Sequence, residues 1–345
     1  METPVFLRAC RGEPTPYTPV WLMRQAGRYM AEYRALRERV PFLELCKTPD
    51  LAAQVTLEAV ERLGVDAAIL FSDILLIVEP MGVGLEFSAG DGPVIHRPVR
   101  SGQDIDALHE VSPQESVLFV FETVRKIRSG LSSHIPLIGF SGAPFTLASY
   151  LIEGGASRQY LETKRLMYQD SGAWNALMEH LVRTITAYVN AQIAAGAQAI
   201  QLFDSWVGCL APQDYRTFLL PHMQALIQGL TPSVPIIHFG TGTAGLLELL
   251  AEAGGDVIGV DWRIDLDVAW RRIGEDRAVQ GNLDPLALFA PLDTLRQQVQ
   301  RILGQAGGRS GHIFNLGHGI LPQTPVDQVI ALVDMVHEFS SRTRR

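Results

Sequence analysis

Residues 67–73, Ala-Ala-Ile-Leu-Phe-Ser-Asp, show the pattern that decides the fold: a short apolar run without alternation, followed at once by polar side chains. Such a run is typical of a parallel strand that helices cover on both faces. Eight runs of this kind occur, at residues 19–23, 67–71, 136–140, 199–203, 235–239, 257–260, 278–281 and 312–316. Because a doubly wound sheet usually stops at about five or six strands, the eight units predict a single-domain α/β protein, a (β/α)8 TIM barrel over residues 1–345.

Two local patterns between the strands refine this prediction. Helix-period segments begin at recognisable sites, such as residues 48–50, Thr-Pro-Asp, and residues 324–325, Thr-Pro, where proline suits the first helical turn. After the second strand, residues 82–100 hold two short apolar runs around an Asp-Gly pair at 91–92. This arrangement predicts a hairpin insertion on the face of the barrel that carries the active site.

Composition and charge exclude several classes of protein. The chain has a net charge of −8 and is 47% hydrophobic, so it can bury a large core and is not suited to nonspecific nucleic-acid binding. No apolar run approaches the ~20 residues of a membrane helix, and the N-terminal residues lack a signal-peptide pattern. The three cysteines, Cys10, Cys46 and Cys209, are far apart and form no CxxC pair. We therefore expect a cytoplasmic protein with no nucleic-acid or membrane partner.

Polar side chains follow nearly every predicted strand, which is where barrel enzymes build their active sites. Any one of them is as easily structural as functional, but their convergence predicts a site at this end of the barrel. The residues are Arg24, Asp73, Ser141, Asp204, Ser205, His238, Asp261, Asn282 and His318.

An arginine cluster points to an anionic ligand. Residues 24–29 are Arg-Gln-Ala-Gly-Arg-Tyr, and further arginines follow at positions 34, 37 and 39. Guanidinium groups bind carboxylates or phosphates through paired hydrogen bonds, so Arg24 and Arg28 predict a ligand with several negative charges. Asp73 would repel such a ligand unless the ligand also has a centre that is cationic or rich in N–H groups. A cap or an ion pair to a site arginine explains Asp73 equally well at this point.

Other cofactor and metal motifs are weaker. Residues 240–245, Gly-Thr-Gly-Thr-Ala-Gly, match a dinucleotide fingerprint, with Asp261 ending the next strand. In a series of eight units, a glycine-rich loop that packs closely on a helix is the better interpretation. Cys209 and His238 are the only cysteine and histidine near consecutive strand ends, and no HExxH motif occurs. We expect no metal and no organic cofactor.

Several longer motifs resemble the uroporphyrinogen decarboxylase family. Residues 19–29 (Pro-Val-Trp-Leu-Met-Arg-Gln-Ala-Gly-Arg-Tyr) are similar to its first signature, and residues 139–146 (Gly-Phe-Ser-Gly-Ala-Pro-Phe-Thr) to its second. Shorter matches follow in the family's order at residues 71–74, 150–155, 203–206 and 315–319; Met30-Ala31 departs from the Leu-Pro of many members. The resemblance implies a cofactor-free homodimeric barrel enzyme of haem biosynthesis. Such an enzyme converts the four acetate side chains of uroporphyrinogen III to methyls, giving coproporphyrinogen III and carbon dioxide.

The resemblance also implies roles for individual residues. Asp73 would stabilise the positive charge that protonation of a pyrrole carbon creates, and Arg24 would bind the reacting acetate or help deliver the proton. Arg37 resembles a further family arginine near the propionates. The residues implied to bind substrate are Arg24, Gln25, Ala26, Gly27, Arg28, Asp73, Tyr150, Ser205 and His318.

Two other functions stay open at this stage. One is a zinc-dependent thiol methyltransferase of the same barrel superfamily, although His238 has no cysteine close to it in sequence. The other is an NAD-dependent dehydrogenase, which residues 240–245 would suggest. Metal analysis would test the first function, and an NAD titration would test the second.

Overall fold

A parallel sheet forms the centre of the protein. The computed structural model describes residues 3–88 and 92–342. Within these residues, seven strands form one curled sheet, and helices cover it, which gives a TIM-barrel-like fold. In spatial order the strands are β1 (Ala68–Ile69), β4 (Leu137–Gly142), β5 (Ala199–Asp204), β6 (Ile236–Gly240), β7 (Val257–Gly259), β8 (Ala278–Gln280) and β9 (His312–Ile313). The two strands between β1 and β4 in sequence, β2 (Leu85–Ser88) and β3 (Gly92–Ile95), form a separate sheet.

The strands are buried along nearly their whole length, as continuous apolar runs require. Every residue of β4 and β6 is buried, and β4 pairs in parallel with β5, with Ile138 opposite Ala199. Because helices cover the sheet and its strand residues are buried on both faces, the strand sequences show no alternation of apolar and polar residues.

The α-helices lie between the strands and pack against one another around the sheet. They are α1 (Val5–Cys10), α2 (Ala31–Arg37), α3 (Phe42–Lys47), α4 (Pro49–Leu63), α5 (Gly102–Asp106), α6 (Pro113–Ser116), α7 (Leu118–Gly130), α8 (Pro144–Glu153), α9 (Leu161–Gln169), α10 (Ser171–Ala195), α11 (Pro212–Phe218), α12 (Leu220–Gly229), α13 (Leu247–Ala253), α14 (Leu266–Ile273), α15 (Leu292–Ala306) and α16 (Val326–Ser340). Short 3-10 helices occur at Glu79–Met81, Val207–Cys209, Thr243–Gly245 and Pro285–Phe289. No helix of the described residues is long and apolar enough to cross a membrane.

The first predicted strand, residues 19–23, is not a regular strand. Val20 forms only an isolated parallel bridge with Phe314, and its carbonyl accepts the Asp66 amide at 2.8 Å. The reason is local, because Pro19 has no N–H to donate and the Val20 amide donates to the Asp66 carboxylate at 2.7 Å. The segment therefore lies between β9 and β1 without a regular ladder: it makes two backbone hydrogen bonds with Phe314, just after β9, and one with Asp66, just before β1.

A separate two-stranded antiparallel sheet follows β1. It consists of β2 (Leu85–Ser88) and β3 (Gly92–Ile95), with Leu85 opposite Ile95. The Ile95 amide donates to the carbonyl of Gly154, just after α8, at 2.9 Å. The expected turn includes Asp91, which lies outside the described residues.

Candidate active site

Arg24 lies where residues 19–23 end and is held in an unusual backbone conformation. Its φ is +62°, a left-handed value that non-glycine residues seldom adopt. The chain before it is fixed, because the amide of Met23 donates to the Asn315 side chain at 3.1 Å and the Leu22 amide donates to the Gln25 side chain at 3.0 Å. The scaffold thus imposes the direction in which the Arg24 side chain leaves the backbone.

The Arg24 side chain is exposed but lies close to other charged and polar groups. It is accessible to solvent, yet burial by surrounding protein lowers its pKa, and the charge of Arg28 lowers that pKa further. Asp73 and Tyr150 act in the opposite direction on the same pKa. Three of the other predicted site residues, Arg28, Asp73 and Tyr150, are therefore close enough to Arg24 for their charges to act on it.

In the segment that contains the two arginines, some polar groups bond within the protein and others have no protein partner. Gln25 is turned inward and buried, and its amide nitrogen donates to the Ala67 carbonyl at 3.1 Å. Within the described residues, the backbone N–H groups of Ala26, Gly27 and Arg28 donate to no protein acceptor. The Arg28 guanidinium is exposed. This loop can therefore offer backbone amides and a cation to an anionic ligand, whereas the Gln25 side chain serves the fold.

Asp73 follows β1 and faces the same region. One carboxylate oxygen accepts the Leu75 amide at 2.9 Å. Burial raises the pKa of Asp73 to about 6, while the Leu75 hydrogen bond and the charge of Arg24 act in the opposite direction. The carboxyl group retains an oxygen for a ligand and changes charge close to neutral pH.

Tyr150, at the end of α8, is held by an aromatic stack. Its ring lies on that of Trp206 with centroids 3.8 Å apart and an interplanar angle of 28°, and Tyr160 meets the same indole edge-on at 5.4 Å. Burial raises the pKa of Tyr150 to about 12, so its hydroxyl remains a neutral donor. Ser205 directly precedes Trp206 and is partly exposed.

A buried hydrogen-bond chain fixes the position of Trp206. The Thr146 hydroxyl of α8 accepts the Trp206 amide at 3.2 Å and donates to the Asp204 carboxyl at 2.8 Å. Asp204 is fully buried, and burial raises its pKa to about 7. Thr146 therefore joins α8, which carries Tyr150, to the end of β5, which carries Ser205.

His318 follows β9 between two glycines that allow close packing. A β-carbon at Gly317 would lie 2.5 Å from the Trp262 backbone nitrogen, and one at Gly319 would lie 2.7 Å from Cγ of Arg24. The Gly319 amide donates to Nδ1 of His318 at 2.7 Å, which leaves the proton of the neutral ring on Nε2. Burial and the charges of Arg24 and Arg263 lower the pKa of His318 to about 4. His318 is thus a neutral donor beside Arg24.

The glycine-rich loop at residues 240–245 is used within the protein. The Gly242 amide donates to the Asp261 carboxylate at 2.7 Å, so the acidic residue that would bind a ribose is already occupied. A β-carbon at Gly208 would lie 2.8 Å from Cα of Gly242, so the close approach is to protein backbone. This geometry favours the packing interpretation of the motif.

The other strand-end residues take structural positions. Ser141 is buried and donates to the Gly142 carbonyl, and His238 lies inside β6, fully buried, with its pKa lowered to about 4 by burial. Asn282 is buried and bonds to the loop after β7. Arg37 donates to the Val40 carbonyl.

Within residues 3–88 and 92–342, no group of three His, Cys, Asp or Glu side chains could hold a metal ion.

Sequence reasoning missed three residues that shape this region: Thr146, Trp206 and Arg263. Thr146 and Trp206 lie inside the quoted motifs, but only the fold reveals their hydrogen bond. Arg263 lies two residues after Asp261, and nothing in the sequence distinguishes it from the other arginines. The charge effect of Arg263 on His318 depends on contacts between distant parts of the chain.

Comparison with known proteins gives full-length matches. A family model described as Uroporphyrinogen decarboxylase (URO-D) matches residues 1–339. The protein named uroporphyrinogen decarboxylase of Carboxydothermus hydrogenoformans is 57% identical over 337 residues, covering 97% of this chain and 96% of its own. That of Sorangium cellulosum, with the same name, is 58% identical over 335 residues, with coverages of 97% and 96%. A solved methyltransferase from Methanosarcina mazei has a TM-score of 0.83 at 22% identity, covering 98% of this chain and 99% of its own, which shows a shared fold.

Proposed function

The chain belongs to the uroporphyrinogen decarboxylase family, and from this membership we infer that it is a carboxy-lyase that converts uroporphyrinogen III to coproporphyrinogen III. Each acetate side chain becomes a methyl group as it takes up a proton and releases carbon dioxide. The observation that carries the assignment of the site is the meeting of Arg24, Arg28, Asp73 and Tyr150 at the carboxyl ends of the strands.

The charges of this site suit the shape of the substrate. Uroporphyrinogen has eight carboxylates around four pyrrole N–H groups. Arg24, Arg28 and the free amides of Ala26 and Gly27 suit the anionic periphery, because charged and backbone N–H groups both bind carboxylates. Asp73 suits the centre, because a carboxylate accepts hydrogen bonds from pyrrole N–H groups.

We assign the main catalytic effect to Asp73. Protonation of a pyrrole carbon places positive charge on the ring, and the electron pair of the breaking bond to carbon dioxide then neutralises that charge and leaves an exocyclic methylene. The methylene carbon takes up a proton and the ring carbon gives up the proton it received, so one proton is consumed as the acetate becomes a methyl group. A carboxylate fixed beside the pyrrole nitrogens is attracted most strongly to the ring at the moment when the ring is charged. It therefore stabilises the transition state more than the bound substrate.

The neighbouring groups bind and orient the substrate. Arg24 binds the reacting acetate, since guanidinium is too weak an acid to be a ready proton donor. Tyr150 and His318 are neutral donors, and both suit hydrogen bonds to substrate carboxylates. Ser205 takes a similar role next to Trp206. Gln25 shapes the loop instead, because its backbone amide donates to the Leu22 carbonyl at 3.0 Å and its carbonyl accepts the Tyr29 hydroxyl at 2.6 Å.

The domain organisation, the closure of the barrel, the localisation and the oligomeric state are also proposals. We propose one domain over residues 1–345, a complete (β/α)8 barrel in which residues 19–23 serve as the first strand, and a hairpin insertion formed by β2 and β3. The backbone hydrogen bonds that join residues 19–21 to Phe314, just after β9, and to Asp66, just before β1, support closure of the barrel. We also propose a cytoplasmic homodimer without a nucleic-acid partner, for which sedimentation velocity of the purified protein is the test of dimerisation.

The function is tested by product analysis under anaerobic conditions. Purified protein without additions should convert uroporphyrinogen III to coproporphyrinogen III, with carbon dioxide released in the ratio of four per substrate. A protein that releases no carbon dioxide but transfers a methyl group to a thiol in the presence of zinc would instead be the methyltransferase alternative.

A further inference from the structure

The loop after β7 is a rigid platform at the same end of the barrel as the site. The Asp261 side chain is only 1% exposed. Its two oxygens accept the Gly242 amide at 2.7 Å and the Arg263 amide at 3.2 Å. The Asn282 side chain donates to the carbonyls of Asp261 at 2.9 Å and Ile264 at 2.7 Å, so both ends of the loop are fixed.

This platform presents one cation, Arg263. Its guanidinium lies over the Trp262 ring, 4.0 Å from the centroid, and one of its nitrogens donates to Asp261. The side chain is still 51% exposed, and its other guanidinium nitrogens have no protein acceptor within the described part of the chain. Two backbone amides already bind the Asp261 carboxylate, so part of the charge and hydrogen-bonding capacity of Arg263 stays available.

The segment around His318 packs against both the loop that carries Arg263 and the Arg24 side chain. Gly317 packs against the backbone and ring of Trp262, whereas Gly319 packs against the Arg24 side chain. His318 is the single residue between these two glycines, so the segment at 317–319 is enclosed by the loop that bears Arg263 and by Arg24. Each arginine is also close enough for its charge to act on the His318 ring.

We propose that Arg263 is a further substrate-binding residue, which together with the neutral Nε2–H of His318 binds a peripheral carboxylate of the substrate. This inference rests on the proposed function for the identity of the ligand. The alternative is that Arg263 has a purely structural role as the ion-pair partner of Asp261 and makes no contact with substrate. The two interpretations differ in what removal of the guanidinium does to binding.

The test compares Arg263→Gln with a matched control, Arg271→Gln. Arg271 lies on α14, is 58% exposed and pairs with Asp267 at 2.7 Å, so it resembles Arg263 in exposure and in having a carboxylate partner. We would measure KM and kcat for uroporphyrinogen III at several salt concentrations, and the dissociation constant of uroporphyrin I, an octacarboxylate, by fluorescence. Melting temperatures report on folding.

The proposal predicts that Arg263→Gln raises both KM and the dissociation constant about tenfold, a typical loss for one charged hydrogen-bonding partner. It predicts that kcat changes by less than about threefold, that salt dependence becomes shallower, and that Arg271→Gln has no such effect. Arg263→Lys keeps the charge without the planar fork, so an intermediate loss is expected, and this variant serves if the glutamine variant does not fold.

Equal KM and dissociation constants for Arg263→Gln, Arg271→Gln and the unaltered protein would overturn the proposal, and a lower melting temperature alone would assign Arg263 to the fold. The binding measurement does not depend on turnover. If the unaltered protein bound the octacarboxylate without decarboxylating uroporphyrinogen, the proposed function would fail, whereas the role of Arg263 would still be decided by the difference in binding.

Discussion

At the scale of single residues, the site combines groups whose charge is kept constant with one group whose charge changes near neutral pH. Tyr150 and His318 are neutral over the physiological range, because burial raises the pKa of the first and lowers that of the second. Asp73, with its pKa raised to about 6, is the exception. The pH dependence of the reaction should therefore report on this carboxyl group.

The acid limb of kcat/KM should reflect Asp73. In the proposed mechanism the carboxylate form is the active one, so activity should fall below a pH of about 6, approaching tenfold per pH unit. A pH profile of the unaltered protein checks this. The same limb should be absent from the residual activity of Asp73→Asn. A profile of the unaltered protein that is flat down to pH 5 would contradict the prediction that ionisation of Asp73 controls activity.

Arg28→Ala should weaken binding. The guanidinium contributes a charged hydrogen bond of about 1.5–3 kcal/mol, so the substrate dissociation constant should rise roughly 10- to 100-fold. Arg34→Ala is the control, because Arg34 donates to the carbonyls of Arg28 and Tyr29 and is exposed. An unchanged dissociation constant for Arg28→Ala would remove this residue from the anion-binding group.

At the scale of elements, helix α8 and strand β5 depend on one hydroxyl. Thr146→Val removes the donor to Asp204 and the acceptor for the Trp206 amide, so the free energy of unfolding should fall by about 1–3 kcal/mol. Denaturant unfolding measures this. Thr123→Val is the control, because Thr123 is equally buried in a helix but bonds only to the Phe119 carbonyl of its own helix.

If Thr146→Val cost no more than Thr123→Val, the hydroxyl would not connect the two elements. A change in tryptophan fluorescence that occurs in Thr146→Val, not in Thr123→Val, and that is lost when Trp206 is also replaced by Phe would show that the Trp206 indole has moved from Tyr150.

The sequence allowed good prediction of elements whose signal is local. The predicted strand at residues 136–140 matches β4 (Leu137–Gly142), and helix α4 begins at Pro49, where the Thr-Pro-Asp sequence predicted a start. Residues 19–23 were predicted wrongly as a regular strand, because the Asp66 side chain binds the Val20 amide. No local pattern indicates a contact with a residue 46 positions away.

The same limit applies to the site. Arg24, Asp73 and Tyr150 could be chosen from strand ends and motifs, and the structure brings these three residues close to one another. Their conformations could not be predicted from those patterns. The left-handed backbone of Arg24 and the close packing at Gly319 follow from tertiary contacts between the two ends of the chain.

At the scale of the whole molecule, the site proposed for the anionic substrate places two arginines, Arg24 and Arg28, on a chain with a net charge of −8. Salt screens charges beyond about 10 Å, so the arginines at the site should govern binding more than the net charge does.

The prediction for the whole enzyme is that no metal takes part in turnover. Dialysis against a chelator should leave kcat and KM unchanged, and reversible loss of activity that a metal restores would contradict this.

The most direct test of the central claim is the single-turnover rate of carbon dioxide release by Asp73→Asn with uroporphyrinogen bound. We predict a rate lower by roughly 10²–10³, with near-normal binding, because the amide keeps the shape and loses the charge. The variant should also be more stable at pH 8, since burying an ionised Asp73 costs on the order of 1–3 kcal/mol as pH rises through its pKa of about 6. Asp204→Asn, a buried carboxyl whose pKa of about 7 leaves it largely neutral near pH 6, should lose far less activity there. A near-normal rate of carbon dioxide release by Asp73→Asn would contradict the claim that the Asp73 charge stabilises the protonated ring.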